Sequence, residues 1–291
     1  MDSLDLVRLS TLMERTSGSP DVMIGLIDGP VVTQHRDLAG EHLREIPGSN
    51  STACVRASST ACLHGTFVAG ILSAKRSSPA PAICPSCTLL VRPIFAEATS
   101  GREHMPSATP QELAAAIIEC IDAGARVINL SLALAQAAIK GEQCLDEALN
   151  QALKRGVIVV AAAGNQGTIG CSVITRHPWV TPVVACDIRG RPMNESNLGG
   201  SIGRRGLRAP GDGITSLGAG GHALTLSGTS VAVPFVTGAT ALLWSAFPSA
   251  TAAHIKLAVT QASTPRRASL VPPLLDAAAA YQVLLAGGAR R

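Results

Sequence analysis

Two kinds of hydrophobic pattern alternate along the first half of the chain. The runs at 22–27, 89–91, 127–132 and 157–162 are short and almost continuously apolar, as a strand buried on both faces requires. Between them, apolar residues recur every three or four positions. Leu113, Ala116, Ile117, Cys120 and Ile121 form one such stripe, opened by the capping box Thr109-Pro110-Gln111-Glu112 and stopped by Gly124. Leu145, Ala148, Leu149, Ala152 and Leu153 form another, ended by Gly156. A helix also opens at His64, with Val68, Ile71 and Leu72 facing the core and His64 in the first turn. The alternation predicts βαβ units and hence an α/β fold, a mostly parallel central sheet with helices on both faces. Residues 41–61 read as a surface loop and 77–85 as a Pro/Ser linker. Beyond 183–185 the pattern turns to short strands and glycine turns, with a hairpin around 218–221. A long apolar helix from about Ser230 to Phe247 follows, and its Gly238 and Ala239 suit a central, enclosed position. Residues 1–291 are read as one domain, with 1–20 an N-terminal segment and 249–291 a C-terminal helical extension.

Composition narrows the function classes. Hydrophobic residues make up 46% of the 291 positions but aromatics only 2%, so the core is built from Val, Ile, Leu and Ala. The net charge of +4 is spread along the chain, without the basic stripe or interleaved aromatics of a nucleic-acid surface. Nucleic acid is therefore not an expected partner. The apolar stretches at 157–163 and 239–247 fall short of the ~20 residues of a membrane span, and no membrane association is expected. The start, Met1-Asp2-Ser3-Leu4-Asp5, is acidic and has no apolar signal region after it, which gives a cytoplasmic expectation. Among the eight cysteines, Cys120 and Cys186 read as buried thiols. Cys84-Pro85-Ser86-Cys87 is open to three readings: a redox pair, half of a zinc site with Cys54 and Cys62, or a loop disulfide. Cys54 with Cys62 could equally close a loop, and their spacing is wide for zinc. His35, His42, His104, His177, His222 and His254 read as surface residues, and no His-Glu-x-x-His motif points to a metalloprotease.

Four polar residues stand at element ends, where a reactive group can be presented. Asp28 follows the first buried run, His64 opens a helix, Asn165 follows the run at 157–162, and Ser230 begins the long apolar helix. A helix N-terminus disfavours imidazolium and suits His64 as a neutral base. The same end effect offers Ser230 backbone N–H groups that could stabilise an oxyanion. The order Asp, His, Ser differs from that of an α/β-hydrolase, and the alternating pattern excludes the all-β chymotrypsin architecture.

The motifs Ile27-Asp28-Gly29, His64-Gly65-Thr66-x-Val68-Ala69-Gly70, Ala161-Ala162-Ala163-Gly164-Asn165 and Gly228-Thr229-Ser230-x-Ala232-x-Pro234 resemble those of the subtilisin-like serine proteases, over about residues 21–247. Within that family, the Asp-Gly-Pro turn and short length look most similar to the leader-removing proteases of cyanobactin-type peptide maturation. The resemblance implies a three-layer subtilisin-like fold and a serine endopeptidase needing no cofactor, its partner a peptide or precursor-peptide substrate. It implies Ser230 as nucleophile, His64 as general base, Asp28 as the group orienting His64, and an oxyanion hole from Asn165 and the Ser230 N–H. Substrate is expected as an extended strand between 92–95, with Ile94, and 129–133, with Ser131, Leu132 and Ala133. The pocket for the side chain before the cleaved bond is expected between Ala162 and Gly164, with Gln166 at its rim and Arg176 near its base, favouring acidic or polar residues. Two departures are Pro30 after Asp28-Gly29 and Phe67 where a histidine is common. The family's calcium loop is replaced by 74–79, where Lys75 and Arg76 bring two cations and no carboxylate, so no metal is expected there. A less selective intracellular protease and a peptide-binding pseudoprotease are the alternatives.

Overall fold

The computed structural model describes residues 2–38, 42–48, 54–95, 97, 108–132, 141–262 and 269–288. Two short helices, α1 (Ser3–Leu6) and α2 (Leu9–Met13), precede β1 (Met23–Asp28). Then come β2 (Leu43–Glu45), α3 (Thr60–Ser73), β3 (Thr88–Pro93), α4 (Pro110–Asp122), β4 (Val127–Leu130), α5 (Glu142–Arg155) and β5 (Ile158–Ala162). The second half runs α6 (Val173–Arg176), β6 (Val180–Cys186), α7 (Gly200–Arg205), β7 (Leu207–Pro210), β8 (Ile214–Leu217), β9 (Ala223–Leu226) and α8 (Thr229–Ala246). Two helices, α9 (Ala252–Gln261) and α10 (Ala277–Ala286), close it.

Seven strands form one parallel sheet in the order β2-β3-β1-β4-β5-β6-β7, and β8 and β9 form an antiparallel hairpin. This is the subtilisin-like α/β architecture. Successive residues of each strand face opposite layers. Ile24, Leu26, Leu89, Val91, Ile158 and Val160 pack with α3 and α8, whereas Ile27, Leu90, Ile128, Leu130, Val159 and Ala161 pack with α4 and α5. Strand order reverses between β1 and β4. In an open parallel sheet the crevice beyond the strand ends at such a reversal is where ligands bind, and Asp28 and Ser131 both sit there.

The capping box at Thr109 and Glu112 is formed, and Gly156 ends α5 with φ 67°. Other expectations change. Residues 41–61 contain β2 and the start of α3, because Ser59 accepts from Cys62 N and caps the helix earlier than the apolar stripe indicates. His64 is thus the fifth residue of α3, beyond the first turn. His35 and His177 are buried, each with Nδ1 accepting a backbone N–H two residues on. Helix α8 is long and apolar enough to cross a membrane, but 83% of it is buried inside the protein.

Candidate active site

Asp28 ends β1 fully buried, and Gly29 turns the chain directly after it. The turn packs against α3 so closely that a Cβ on Gly29 would strike Ala61 O and one on Gly65 would strike Gly29 O. That contact sets the distance between Asp28 and His64. Asp28 Oδ1 accepts from Gly29 N and lies 2.7 Å from His64 Nδ1, while His64 Nε2 lies 3.0 Å from Ser230 Oγ. A carboxylate only accepts, so Nδ1 carries a proton. In the neutral ring Nε2 is then an acceptor for the Ser230 hydroxyl. Burial alone would lower the His64 pKa. The charge of Asp28 and its hydrogen bond outweigh that and leave it raised above the usual histidine value. The expected helix-dipole depression does not operate, because His64 lies past the first turn, where the dipole acts.

Ser230 is the second residue of α8, so its N–H has no intrahelical acceptor. Gly228, the residue before the helix, has φ 140°, and a Cβ there would lie 3.1 Å from Asn165 Nδ2. The positive φ calls for glycine, and a Cβ would also crowd the Asn165 amide. Asn165 Oδ1 accepts from Thr229 N and Thr229 Oγ1, each at 2.9 Å, which orients Nδ2 as the donor. A hydroxyl in line with a neutral imidazole, beside two N–H donors, can transfer its proton and attack a carbonyl whose oxygen the donors stabilise.

These groups open into a cleft of about 430 Å³. Ser131, Leu132, Ala162, Asn165 and Gln166 line it. Ile94 does not; it is buried in the α4 layer, its N–H donating to Asp28 O, and Phe95 lines the cleft in its place. Gly164 is buried below the rim, with its N–H donating to Thr229 Oγ1. Arg176 is a correction. The capping box of Ser172 and Thr175 turns α6 so that Val173 and Ile174 face inward, and the Arg176 guanidinium reaches Glu142 Oε2 at 2.9 Å. Its charge is held by that carboxylate, and it does not line the described cleft. Ala133 and His104 lie outside the described residues.

The sequence reading missed Leu63, Leu224 and Leu226, which give the cleft apolar walls. Leu224 and Leu226 alternate along β9, a period-two signal present in the sequence. Cys54 and Cys62 form a disulfide that ties the wall before α3 to the helix, and the Glu97 carboxylate accepts from Val55 N and Arg56 N beside it. Cys84 and Cys87 stay buried thiols in the α8 layer, so the four cysteines do not assemble as one zinc site. The hydrogen bond between the Cys84 and Cys87 sulfurs, together with burial, raises the Cys84 pKa, while the same bond lowers that of Cys87 against the effect of burial.

A model described as the subtilase family matches residues 19–278 of the chain. The chain belongs to the subtilase family. A thermophilic serine proteinase of Bacillus sp. (strain AK1) is 34% identical to this subtilase over 234 residues, which is 78% of this chain and 53% of that protein. Subtilisin DY of Bacillus licheniformis is 26% identical over 266 residues, 90% of each chain. This subtilase spans about half the length of the first curated relatives it matches. Among solved structures, the protease domain of PatA superposes with a TM-score of 0.85 at 30% identity, covering 94% of this chain and 98% of that one. The prenylagaramide maturation protease PagA superposes with a TM-score of 0.82 at 29% identity, covering 95% and 98%.

Proposed function

We propose that this subtilase is a serine endopeptidase that removes the leader from a precursor peptide. One observation carries the reaction: the line from Asp28 through His64 to Ser230, at 2.7 and 3.0 Å. Ser230 Oγ attacks the peptide carbonyl as its proton passes to His64 Nε2. Asp28, buried and bonded to Nδ1, stabilises the imidazolium that forms. The tetrahedral oxyanion is met by Asn165 Nδ2 and the Ser230 N–H. Collapse returns the proton from His64 to the leaving amine, and water then hydrolyses the acyl-enzyme by the same route in reverse.

The maturation proteases PatA and PagA, similar over nearly their whole chains, support the precursor-peptide reading. A cytoplasmic setting belongs to the same proposal. A fluorophosphonate probe that labels the wild type but not Ser230→Ala tests the nucleophile; an unlabelled wild type points to a peptide-binding pseudoprotease instead. Incubation with a library of leader-bearing peptides and unstructured proteins tests the substrate. Cleavage at one site per precursor supports leader removal, and indiscriminate digestion supports the less selective protease. Ser230→Ala is expected to lower hydrolysis by about 10⁶-fold without loss of fold.

A further inference from the structure

Pro234 leaves the backbone carbonyl of Ser230 without its helical partner. In an α-helix the C=O of one residue accepts from the N–H four residues on, and four residues after Ser230 stands a proline inside α8, with no N–H to give. The acceptor is served from the sheet instead. Ser131 Oγ donates to Ser230 O at 2.9 Å. Ser131 Oγ itself accepts from Asn129 Nδ2 at 2.7 Å, and Asn129 Oδ1 accepts from Thr237 Oγ1 at 2.9 Å. Thr237 is again on α8, about one turn past Pro234. All three side chains are buried: Asn129 and Thr237 are 0% exposed and Ser131 3%.

Donation runs one way along this line. The Thr237 hydroxyl marks the oxygen end of the Asn129 amide, which turns the nitrogen end to Ser131. Ser131, accepting the amide N–H, directs its own O–H to the Ser230 carbonyl. Without the Thr237 hydroxyl, nothing on this line fixes which way the amide faces, and the serine hydroxyl is free to rotate. We propose that Asn129 and Thr237 are positioning residues for Ser230. They hold the Ser131 hydroxyl where the Pro234 N–H would otherwise be, and so fix the first turn of α8, with Ser230 Oγ and N–H, against the end of β4. Neither touches substrate or the reacting atoms. The inference rests on the reading of Ser230 as nucleophile.

The test compares fluorophosphonate labelling rates in wild type, Thr237→Val, Thr237→Ser, Pro234→Ala and the Thr237→Val/Pro234→Ala double variant, each shown folded by circular dichroism at the assay temperature. Thr237→Val is expected to label about 10- to 100-fold more slowly, since small misplacement of a reacting group has effects of that order. The same variant should lower kcat on a peptide substrate with KM little changed. Thr237→Ser keeps the hydroxyl and should label within about 3-fold of wild type. Pro234→Ala returns a main-chain N–H to the Ser230 carbonyl, so Thr237→Val should cost about 3-fold or less in that background, a coupling that a double-mutant cycle reads directly. Thr237→Ala replaces Thr237→Val in every comparison if the valine variant does not fold. A labelled wild type with an equally reactive Thr237→Val overturns the positioning role alone, as does a slowing that Pro234→Ala leaves unchanged. A wild type that is not labelled removes the nucleophile itself, and with it anything to position.

Discussion

The amide of Asn165 can act in one sense only. Its oxygen accepts both the N–H and the O–H of Thr229, so the nitrogen is the end left to donate in the cleft that Asn165 lines. In the proposed mechanism that donor meets charge that exists only once the carbonyl has been attacked. Asn165→Ala is therefore expected to lower kcat by about 10²- to 10³-fold and leave KM nearly unchanged; steady-state kinetics on a peptide substrate checks the split. His64 gives a second expectation at the level of a single side chain. Only the neutral imidazole accepts the Ser230 proton, and Asp28 holds the His64 pKa above its ordinary value despite burial. Activity should thus fall as pH drops through this raised value, with the midpoint of the ascending limb above the ordinary histidine value of about 6.5. A kcat/KM profile with its midpoint below that value would contradict the Asp28–His64 pairing.

Helix α3 and the wall before it work as one element. Ser59 caps the helix, Glu97 accepts from Val55 N and Arg56 N, and the Cys54–Cys62 disulfide joins wall to helix two residues before His64. Closing a short loop removes unfolded-state entropy, so breaking this bond with Cys54→Ser should lower stability by about 2–3 kcal/mol, measured by urea unfolding without reductant. Thiol titration of the denatured, unreduced protein should count six free cysteines, since the disulfide takes two of the eight. A count of eight in protein alkylated during lysis would show the pair reduced in the cell, as a reducing cytoplasm would keep it. Helix α8 shows how an element can be constrained from outside: Pro234 removes a main-chain donor, and Ser131, just past β4, supplies a hydroxyl in its place.

The described residues are held by two apolar layers on a parallel sheet, and the N-terminal segment is fastened to one of them by a cation. Arg76, just past α3, donates to Met13 O and Thr16 O, and Lys75 donates to Arg36 O. These two side chains bind backbone carbonyls at a place where the family resemblance leads one to look for calcium. Chelation is accordingly expected to leave the Tm unchanged. Arg76→Ala should lower it by a few degrees, about 1–2 kcal/mol for two charge-assisted hydrogen bonds. Thermal unfolding with and without EDTA separates the two; a Tm that drops with EDTA in the wild type would place a metal elsewhere in the fold.

Much of this was written in local pattern. The buried runs gave the strands of the parallel sheet's centre, because a strand covered on both faces has no polar side to disguise it. Asp28, Asn165 and Ser230 stood out because polar groups at the ends of apolar elements can be presented to a ligand, whereas the local pattern has His64 opening a helix and it lies instead in the second turn of α3. Asn129 and Ser131 also left a trace, as polar residues inside an apolar run, although nothing local says that they reach Ser230. Arg176 shows the limit. The family resemblance placed it near a pocket, but its direction depended on the turn of α6 and on Glu142, more than thirty residues away. The same holds for the start of α3, fixed by the Ser59 cap, and for the choice between two cysteine pairs. Helices and strands follow from periodicity, which is a property of neighbours. Where a long side chain points and what it pairs with is decided by elements that only the fold brings together.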